Sequence, residues 1–170
     1  TGLLEMLALM GADLRLVNHR SAGAEPVADI EIRPAVLAGI RVPERLVPVA
    51  VDEFPAFFIA AASARGETLV TGAGELRVKE SDRIAVMARG LDAVGVRNEV
   101  LPDGLRIEGG AIGGGVIDSH GDHRVAMAFA VASLRASGAI EIRDVANVAT
   151  SFPGFAPLAN SLGLRLVERG

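Results

Sequence analysis

The sequence of 170 residues contains no cysteine, no tryptophan and no tyrosine, and only six phenylalanines. Without cysteine, the chain has no disulfide, no thiolate metal site and no cysteine nucleophile. Proteins that bind nucleic acid usually present a basic surface and stacking aromatic side chains. This chain has a net charge of −4 at pH 7 and very few aromatic residues, which argues against a nucleic-acid partner.

Long apolar runs are also missing. The most apolar stretches, 54–64 and 125–134, are shorter than the roughly 20 residues that a helix needs to cross a bilayer. No signal peptide is recognisable, and no membrane partner is expected. Half of the residues are apolar, enough for one folded domain with its own core. The first residue is Thr1, inside a helical pattern, so we expect the chain to begin within a larger protein.

Two kinds of helix alternate along the chain. Amphipathic helices are predicted at 2–10, 81–94 and 155–162; each stops at a glycine and leads into a strand, namely ADLRLVN, VRNEVL and LRLVE. Helices at 52–64 and 122–137 are apolar nearly all round, so other elements must enclose them. They lead into the strands ETLVT and AIEIR, and DIEIR (29–33) and GLRIEG (104–109) are further strands. The pattern predicts an α/β domain of the α+β type, in which short-stranded sheets cover repeated strand–helix units and buried helices alternate with half-exposed ones.

The segment GELRVKESDRI (74–84) contains Lys79, which is the only lysine of the chain. Glu75–Val78 reads as a strand, and its period of two places Arg77 and Lys79 on one face. With a helix starting near Ser81, the side chains of Lys79, Glu80 and Arg83 gather at a helix N-terminus, where free N–H groups favour an anion. An ordinary capped helix with solvated charges explains the same pattern, and both interpretations stay open.

A similar arrangement is predicted at DSHGDHRVAM (118–127). Asp122 is suited to cap the helix, and Arg124 is suited to face an anion. His123 has either a structural role or, with His120 and Asp122, a role in a metal site, for which two histidines and one aspartate on a turn are weak evidence.

Three other stretches have simpler interpretations. Asp52 precedes the first apolar helix. In TSFPGF, Thr150 and Ser151 are expected to cap a helix, with Pro153 in its first turn. The segment GGAIGGG (109–115) has neither dinucleotide-binding nor P-loop spacing and reads as a flexible turn.

Taken together, four motifs resemble the 5-enolpyruvylshikimate-3-phosphate synthase family in order and approximate spacing: VDEFPAFFIAAA, GELRVKESDRI, DSHGDHRVAMAFAVA and VATSFPGF. The resemblance implies an enolpyruvyl transferase-like α/β prism with two similar domains, each made of three βαβαββ units around buried helices. Residues 1–170 would form most of the C-terminal domain, and the N-terminal domain would be absent. The related UDP-N-acetylglucosamine enolpyruvyl transferases share the fold and are the alternative.

The resemblance also implies a reaction and roles for single residues. Members of the family transfer the enolpyruvyl group of phosphoenolpyruvate to the 5-hydroxyl of shikimate 3-phosphate and release phosphate, through a tetrahedral intermediate and without a cofactor or a metal. By motif, Asp52 resembles the residue that accepts the hydroxyl proton, and Glu80 resembles the acid that protonates the methylene carbon. Lys79 resembles a shikimate 3-phosphate ligand. Arg83 and Arg124 resemble a phosphoenolpyruvate clamp, with His123 in a supporting role.

The chain departs from the family pattern at two positions. Thr150 stands where many members have a lysine that contacts phosphoenolpyruvate, although members with ATSFP exist. Glu75 stands where some members have an asparagine that contacts the shikimate ligand, so this contact is not carried over.

The resemblance further leads us to expect a cytoplasmic, monomeric parent enzyme and an inactive isolated chain, because the missing domain supplies the rest of the site. A non-catalytic module that binds phosphorylated metabolites, and a purely structural domain with solvated charges, are the alternatives from other functional classes.

Overall fold

The apolar stretches of the sequence form helices at the centre of the fold. The structure is a computed structural model that describes residues 2–168. Helix α1 is Gly2–Leu9 and helix α2 is Phe54–Ala62, and α2 buries seven of its nine residues. The rings of Phe54, Phe57 and Phe58 are fully buried, with centroids 5.5 to 6.5 Å apart. The prediction of an enclosed helix after Asp52 is therefore confirmed.

Three small sheets cover these helices. The strands are β1 Asp13–Ala22, β2 Glu25–Arg33, β3 Gly66–Val70, β4 Asn98–Leu101, β5 Gly104–Gly109, β6 Gly115–Asp118 and β7 Ile140–Arg143. Strands β1 and β2 form an antiparallel hairpin, β3, β5 and β4 form an antiparallel sheet in that order, and β6 pairs with β7 in parallel. The remaining helices are α3 Arg83–Ala93, α4 His123–Ala132, α5 Ala146–Ser151 and α6 Phe155–Ser161.

Helices α2, α3 and α4 contact one another, and α3 is more buried than its amphipathic pattern predicts. Seven of its eleven residues are buried, because α3 packs against α2 and α4 as well as against β4, β5 and β6. Gly90 permits this packing: a Cβ atom at this position would lie 2.3 Å from the ring of Phe129 on α4. Helix α3 is followed by Gly95 with φ +79°, which confirms the predicted glycine stop.

The predicted strand at 75–78 is wrong. Gly74–Val78 forms a short 3₁₀ helix, in which the Leu76 side chain is fully buried and the Val78 side chain is 79% exposed. A strand would have placed both side chains on one face. The Arg77 side chain stabilises the turn by donating to the carbonyl oxygens of Leu101 (2.7 Å) and Pro102 (2.9 Å), so Arg77 and Lys79 do not form the predicted two-residue face.

The C-terminal predictions are also corrected. Thr150 and Ser151 lie in α5 and do not cap α6, which begins after Gly154 without any side-chain cap. No strand forms at 164–168, because the Asn160 side chain bonds both backbone groups of Leu166, at 2.7 and 3.0 Å. The predicted flexible turn at 109–115 ends where β6 begins. Strand β6 itself was not predicted from the sequence.

Within residues 2–168, no helix is long and apolar enough to span a membrane.

Candidate active site

The N-terminal ends of α2, α3 and α4 bring three distant charged segments together. Asp52 lies two residues before α2, Arg83 is the first residue of α3, and Arg124 is the second residue of α4. Hydrogen bonds join side chains from all three segments. We call these side chains the arginine–carboxylate cluster; its members are Asp52, Glu80, Ser81, Arg83, Asp122 and Arg124. The contact between these helices therefore builds one site from residues up to 72 positions apart.

Arg83 is the centre of the arginine–carboxylate cluster. Its side chain is fully buried, yet its three nitrogens each donate to a different carboxylate. Nε donates to Asp122 (2.8 Å), Nη1 donates to Asp52 (3.0 Å), and Nη2 donates to Glu80. Burial works against the charged form of Arg83, but the bond to Asp122 and the other carboxylates outweigh it, so the pKa of Arg83 is raised above its usual value. The guanidinium is therefore held charged inside the protein.

Asp122 is also fully buried, and both of its carboxylate oxygens are occupied. Oδ2 accepts from Arg83 and from the Ser81 hydroxyl, at 2.8 and 3.1 Å. Oδ1 accepts from the backbone N–H groups of Arg124 and Val125, at 2.9 and 3.4 Å. The predicted helix cap at Asp122 is thus confirmed. Its second function, as the partner of Arg83, was missed by the sequence reasoning, because no spacing pattern relates residues 39 positions apart.

Asp52 faces both arginines and does not act as a cap for α2. Its Oδ1 accepts from Arg83, and its Oδ2 and backbone carbonyl accept from Arg124 at 3.4 and 3.2 Å. The hydrogen bond from Arg83 lowers the pKa of Asp52. Burial opposes this shift, and the positive charges of Arg124, Arg83 and Lys79 add to it. Asp52 is therefore a carboxylate at neutral pH and is within electrostatic reach of Lys79.

Arg124 is half-buried and retains an unused donor. Its Nε is buried and has no hydrogen-bond partner among residues 2–168. Buried donors are usually satisfied, so an unpaired guanidinium N–H next to a carboxylate cluster is a candidate contact for a ligand.

Lys79 lies at the edge of the arginine–carboxylate cluster. Its Nζ donates to Glu75 at 2.6 Å, an ion pair spaced four residues apart along the chain. The Lys79 ammonium is therefore paired with a carboxylate, as the Arg83 guanidinium is. Ser81, predicted near the helix start, does not cap α3; Asp82 does, by accepting from the Ala85 N–H at 3.0 Å.

A groove of about 220 Å³ opens beside the cluster, between α2 and α4. Asp52 and Arg124 line it together with apolar side chains that include Pro55, Ile59 and Met127. The groove therefore borders the exposed part of the arginine–carboxylate cluster.

The histidines make little contribution to the cluster. His123 is half-buried, and its side chain has no hydrogen bond in the described part of the chain. His120 is exposed and its ring contacts Arg89 at 3.1 Å. His120, Asp122 and His123 do not form a metal-binding group; in fact, no set of three His, Asp or Glu side chains in residues 2–168 is placed to hold a metal ion.

Comparisons with known proteins give a consistent result. Residues 1–158 match the family described as EPSP synthase (3-phosphoshikimate 1-carboxyvinyltransferase). The chain is 58% identical over 170 residues to the 3-phosphoshikimate 1-carboxyvinyltransferase of Xanthomonas axonopodis pv. citri, and 60% identical over 166 residues to that of Xanthomonas oryzae pv. oryzae. These matches cover 100% and 98% of this chain but 39% and 38% of the relatives, so the chain spans about two fifths of their length.

Solved structures extend the comparison to the fold. EPSP synthase from Acinetobacter baumannii superposes with a TM-score of 0.94 at 54% identity, covering 96% of this chain and 39% of that protein. The enolpyruvyl transferase NikO from Streptomyces tendae superposes with a TM-score of 0.62 at 20% identity, covering 95% of this chain and 35% of that protein, a likeness of fold alone. The expected enolpyruvyl transferase-like fold is therefore confirmed.

Proposed function

This chain belongs to the EPSP synthase (3-phosphoshikimate 1-carboxyvinyltransferase) family, and we propose that it forms most of the C-terminal domain of such an enzyme. The full-length protein would transfer the enolpyruvyl group of phosphoenolpyruvate to the 5-hydroxyl of shikimate 3-phosphate. The observation that carries the proposal is the convergence of Asp52, Glu80 and Arg124 on or around the buried guanidinium of Arg83. The closeness of the matched relatives favours shikimate 3-phosphate over a UDP-sugar as the acceptor.

Arg83 and Arg124 are the proposed ligands of phosphoenolpyruvate. Guanidinium groups bind carboxylates and phosphates through paired N–H donors. The Arg124 side chain is partly exposed, and its Nε, which is buried and without a partner among residues 2–168, would reach such a ligand once the side chain turns. The Arg83 side chain is fully buried, so an anion would reach it only by replacing Asp52 or Glu80 on Nη1 or Nη2. Because both of these carboxylates are about half exposed, they can turn away without unfolding the site.

This exchange would prepare both acids for proton transfer. The hydrogen bond from Arg83 lowers the pKa of Asp52 and makes it a weak base. Once phosphoenolpyruvate occupies Arg83, Asp52 loses this bond and becomes more basic, so it can accept the proton of the 5-hydroxyl. Glu80, released from the same guanidinium, would act in its protonated form and deliver its proton to the methylene carbon.

The proposed chemistry then runs through two steps. The 5-hydroxyl oxygen attacks C2 of phosphoenolpyruvate while the methylene carbon gains a proton, which gives a tetrahedral intermediate. The bond from C2 to the phosphate oxygen then breaks, the methyl carbon returns a proton to the Glu80 carboxylate, and phosphate is released, which leaves the enolpyruvyl ether as the product. Lys79 would support the acceptor: its charge already acts on Asp52, and a phosphorylated substrate can compete with Glu75 for its ammonium. His123 would at most support the clamp from the neighbouring position on α4.

Incubating the full-length protein with both substrates tests the proposal. We expect phosphate release and an enolpyruvyl product only when phosphoenolpyruvate and shikimate 3-phosphate are both present. The purified 170-residue chain should release no phosphate, because the remaining part of the site is missing. Binding of either substrate to the full-length protein without any turnover would instead indicate a non-catalytic binding module, and turnover by the isolated chain would contradict the division of the site between two domains.

The monomeric state of the parent enzyme, its cytoplasmic location and the absence of a cofactor or metal stay predictions, as does the consequence of Thr150 for phosphoenolpyruvate binding.

A further inference from the structure

Asp122 lies between the two arginines of the proposed clamp and contacts both of their chain segments. We infer that Asp122 is a positioning residue that fixes the placement of Arg83 relative to Arg124, and thereby the geometry with which the clamp holds phosphoenolpyruvate. The inference rests on the proposed function, and it goes beyond the role of Asp122 as a helix cap.

One oxygen of Asp122 determines the orientation of Arg83. Oδ2 accepts from Nε at 2.8 Å, which leaves Nη1 and Nη2 pointing at Asp52 and Glu80, the two side chains that a ligand would replace. The Ser81 hydroxyl donates to the same oxygen at 3.1 Å and so restricts the rotation of the carboxylate. The planar guanidinium has a fixed fork of donors, and a bond at Nε sets the direction of the other two nitrogens.

The other oxygen determines where Arg124 leaves the backbone. Oδ1 accepts from the N–H groups of Arg124 and Val125 and so holds the first turn of α4. Because both oxygens belong to one rigid carboxylate, the start of α4 and the guanidinium of Arg83 cannot move independently.

The three carboxylates on Arg83 differ in exposure, which separates their roles. The side chains of Asp52 and Glu80 are 46% and 48% exposed, whereas that of Asp122 is 0% exposed. Among residues 2–168, Asp122 is the one acidic residue in the buried class. Asp52 and Glu80 can therefore leave Arg83 when a ligand arrives, while Asp122 stays in place before and after binding.

Replacing Asp122 by asparagine separates the two functions of the residue. The amide oxygen of Asp122→Asn can still accept from the backbone of α4, but its NH₂ group would face the N–H of Arg83 and cannot accept from it. In the full-length protein we expect the KM for phosphoenolpyruvate to rise roughly 10- to 100-fold, because a misplaced guanidinium no longer fits the anion. The KM for shikimate 3-phosphate should change by less than about threefold, since its proposed ligand Lys79 lies outside this contact.

Asp82→Asn is the matched control. Asp82 also caps a helix, α3, and asparagine can keep this cap through its amide oxygen. The contact that the substitution removes is the one with Arg77 at 2.8 Å, and Arg77 lies outside the proposed clamp. Asp82→Asn should therefore change the KM for phosphoenolpyruvate by less than about threefold. Equal increases in both variants, or an unchanged KM in Asp122→Asn, would overturn the inference.

Ser81→Ala provides a second variant if Asp122→Asn does not fold. It removes only the donor that restricts the Asp122 carboxylate, so a smaller increase of about 5- to 10-fold in the KM for phosphoenolpyruvate alone is expected. An unchanged KM in Ser81→Ala would then overturn the inference. If the wild-type protein has no activity with the two substrates, the proposed function itself fails, and this result is distinct from a wild-type enzyme that tolerates both substitutions.

Discussion

Two arginine–aspartate pairs in this molecule have the same length and very different surroundings. The Arg83–Asp122 pair joins the starts of α3 and α4, and the Arg20–Asp29 pair joins β1 to β2 in the hairpin; the nitrogen–oxygen distance is 2.8 Å in both. The side chains of the first pair are 0% exposed, whereas those of Arg20 and Asp29 are 57% and 48% exposed. The comparison shows that the nitrogen–oxygen distance alone does not determine how much an ion pair contributes to stability.

The difference follows from solvation. Water and salt screen an exposed pair, which contributes about 0–1 kcal/mol. A buried pair has lost its hydration, so removing one partner leaves an uncompensated charge and costs about 3–5 kcal/mol. The fold thus keeps Arg83 charged by surrounding it with carboxylates.

The largest effect on stability is expected for Asp122→Ala. This substitution removes the buried partner of Arg83 and the cap of α4, so the free energy of unfolding of the full-length protein should fall by about 3–5 kcal/mol. Urea denaturation followed by circular dichroism measures the change.

Asp29→Ala is the matched control in the hairpin. It removes an acceptor at the same distance from an arginine, but in water, and should lower the free energy of unfolding far less than Asp122→Ala does. If the two substitutions cost the same, burial does not distinguish the pairs and the comparison fails.

A smaller, pH-dependent effect is expected at Asp52. The pKa of Asp52 is lowered by the hydrogen bond from Arg83, so its ionised form stabilises the folded state. This stabilisation is complete above the ordinary pKa of 3.8 and is lost as the pH falls through the lower pKa of the folded protein. The difference in free energy of unfolding between wild type and Asp52→Asn should be constant from about pH 6 to about pH 8 and shrink in acid. Denaturation curves recorded from neutral pH down to below pH 3.8 measure this difference. A difference that grew below pH 3.8 would contradict the account.

The sequence predicted the elements that depend on local patterns. The apolar helix after Asp52 and the cap at Asp122 follow from periodicity and from the preference of Asp for helix starts, and both are confirmed. The resemblance of four motifs to a known family supplied the residues of the site, because no spacing rule relates Arg83 to Asp52 or Asp122.

Non-local contacts account for the wrong predictions. Residues 75–78 alternate like a strand, but they lack a strand partner, and the Arg77 side chain uses the carbonyls of the β4–β5 turn to hold a 3₁₀ helix. Similarly, Asn160 occupies the backbone groups of Leu166 that a C-terminal strand would need. In each case a polar side chain bonds backbone groups of another segment, and the pattern of apolar residues does not contain this contact.

The most direct test of the central claim is the turnover of Glu80→Gln in the full-length protein. Glutamine keeps the size of the side chain but cannot deliver a proton, so kcat should fall by about 10²–10⁴-fold. Since the Glu80 side chain is about half exposed, the free energy of unfolding should change by no more than about 1 kcal/mol. Glu99→Gln, at an exposed ion pair with Arg106, is the control and should leave kcat unchanged. A large loss of kcat in the folded Glu80→Gln variant alone is the predicted result, and near-normal turnover would contradict the assignment of the arginine–carboxylate cluster as the active site.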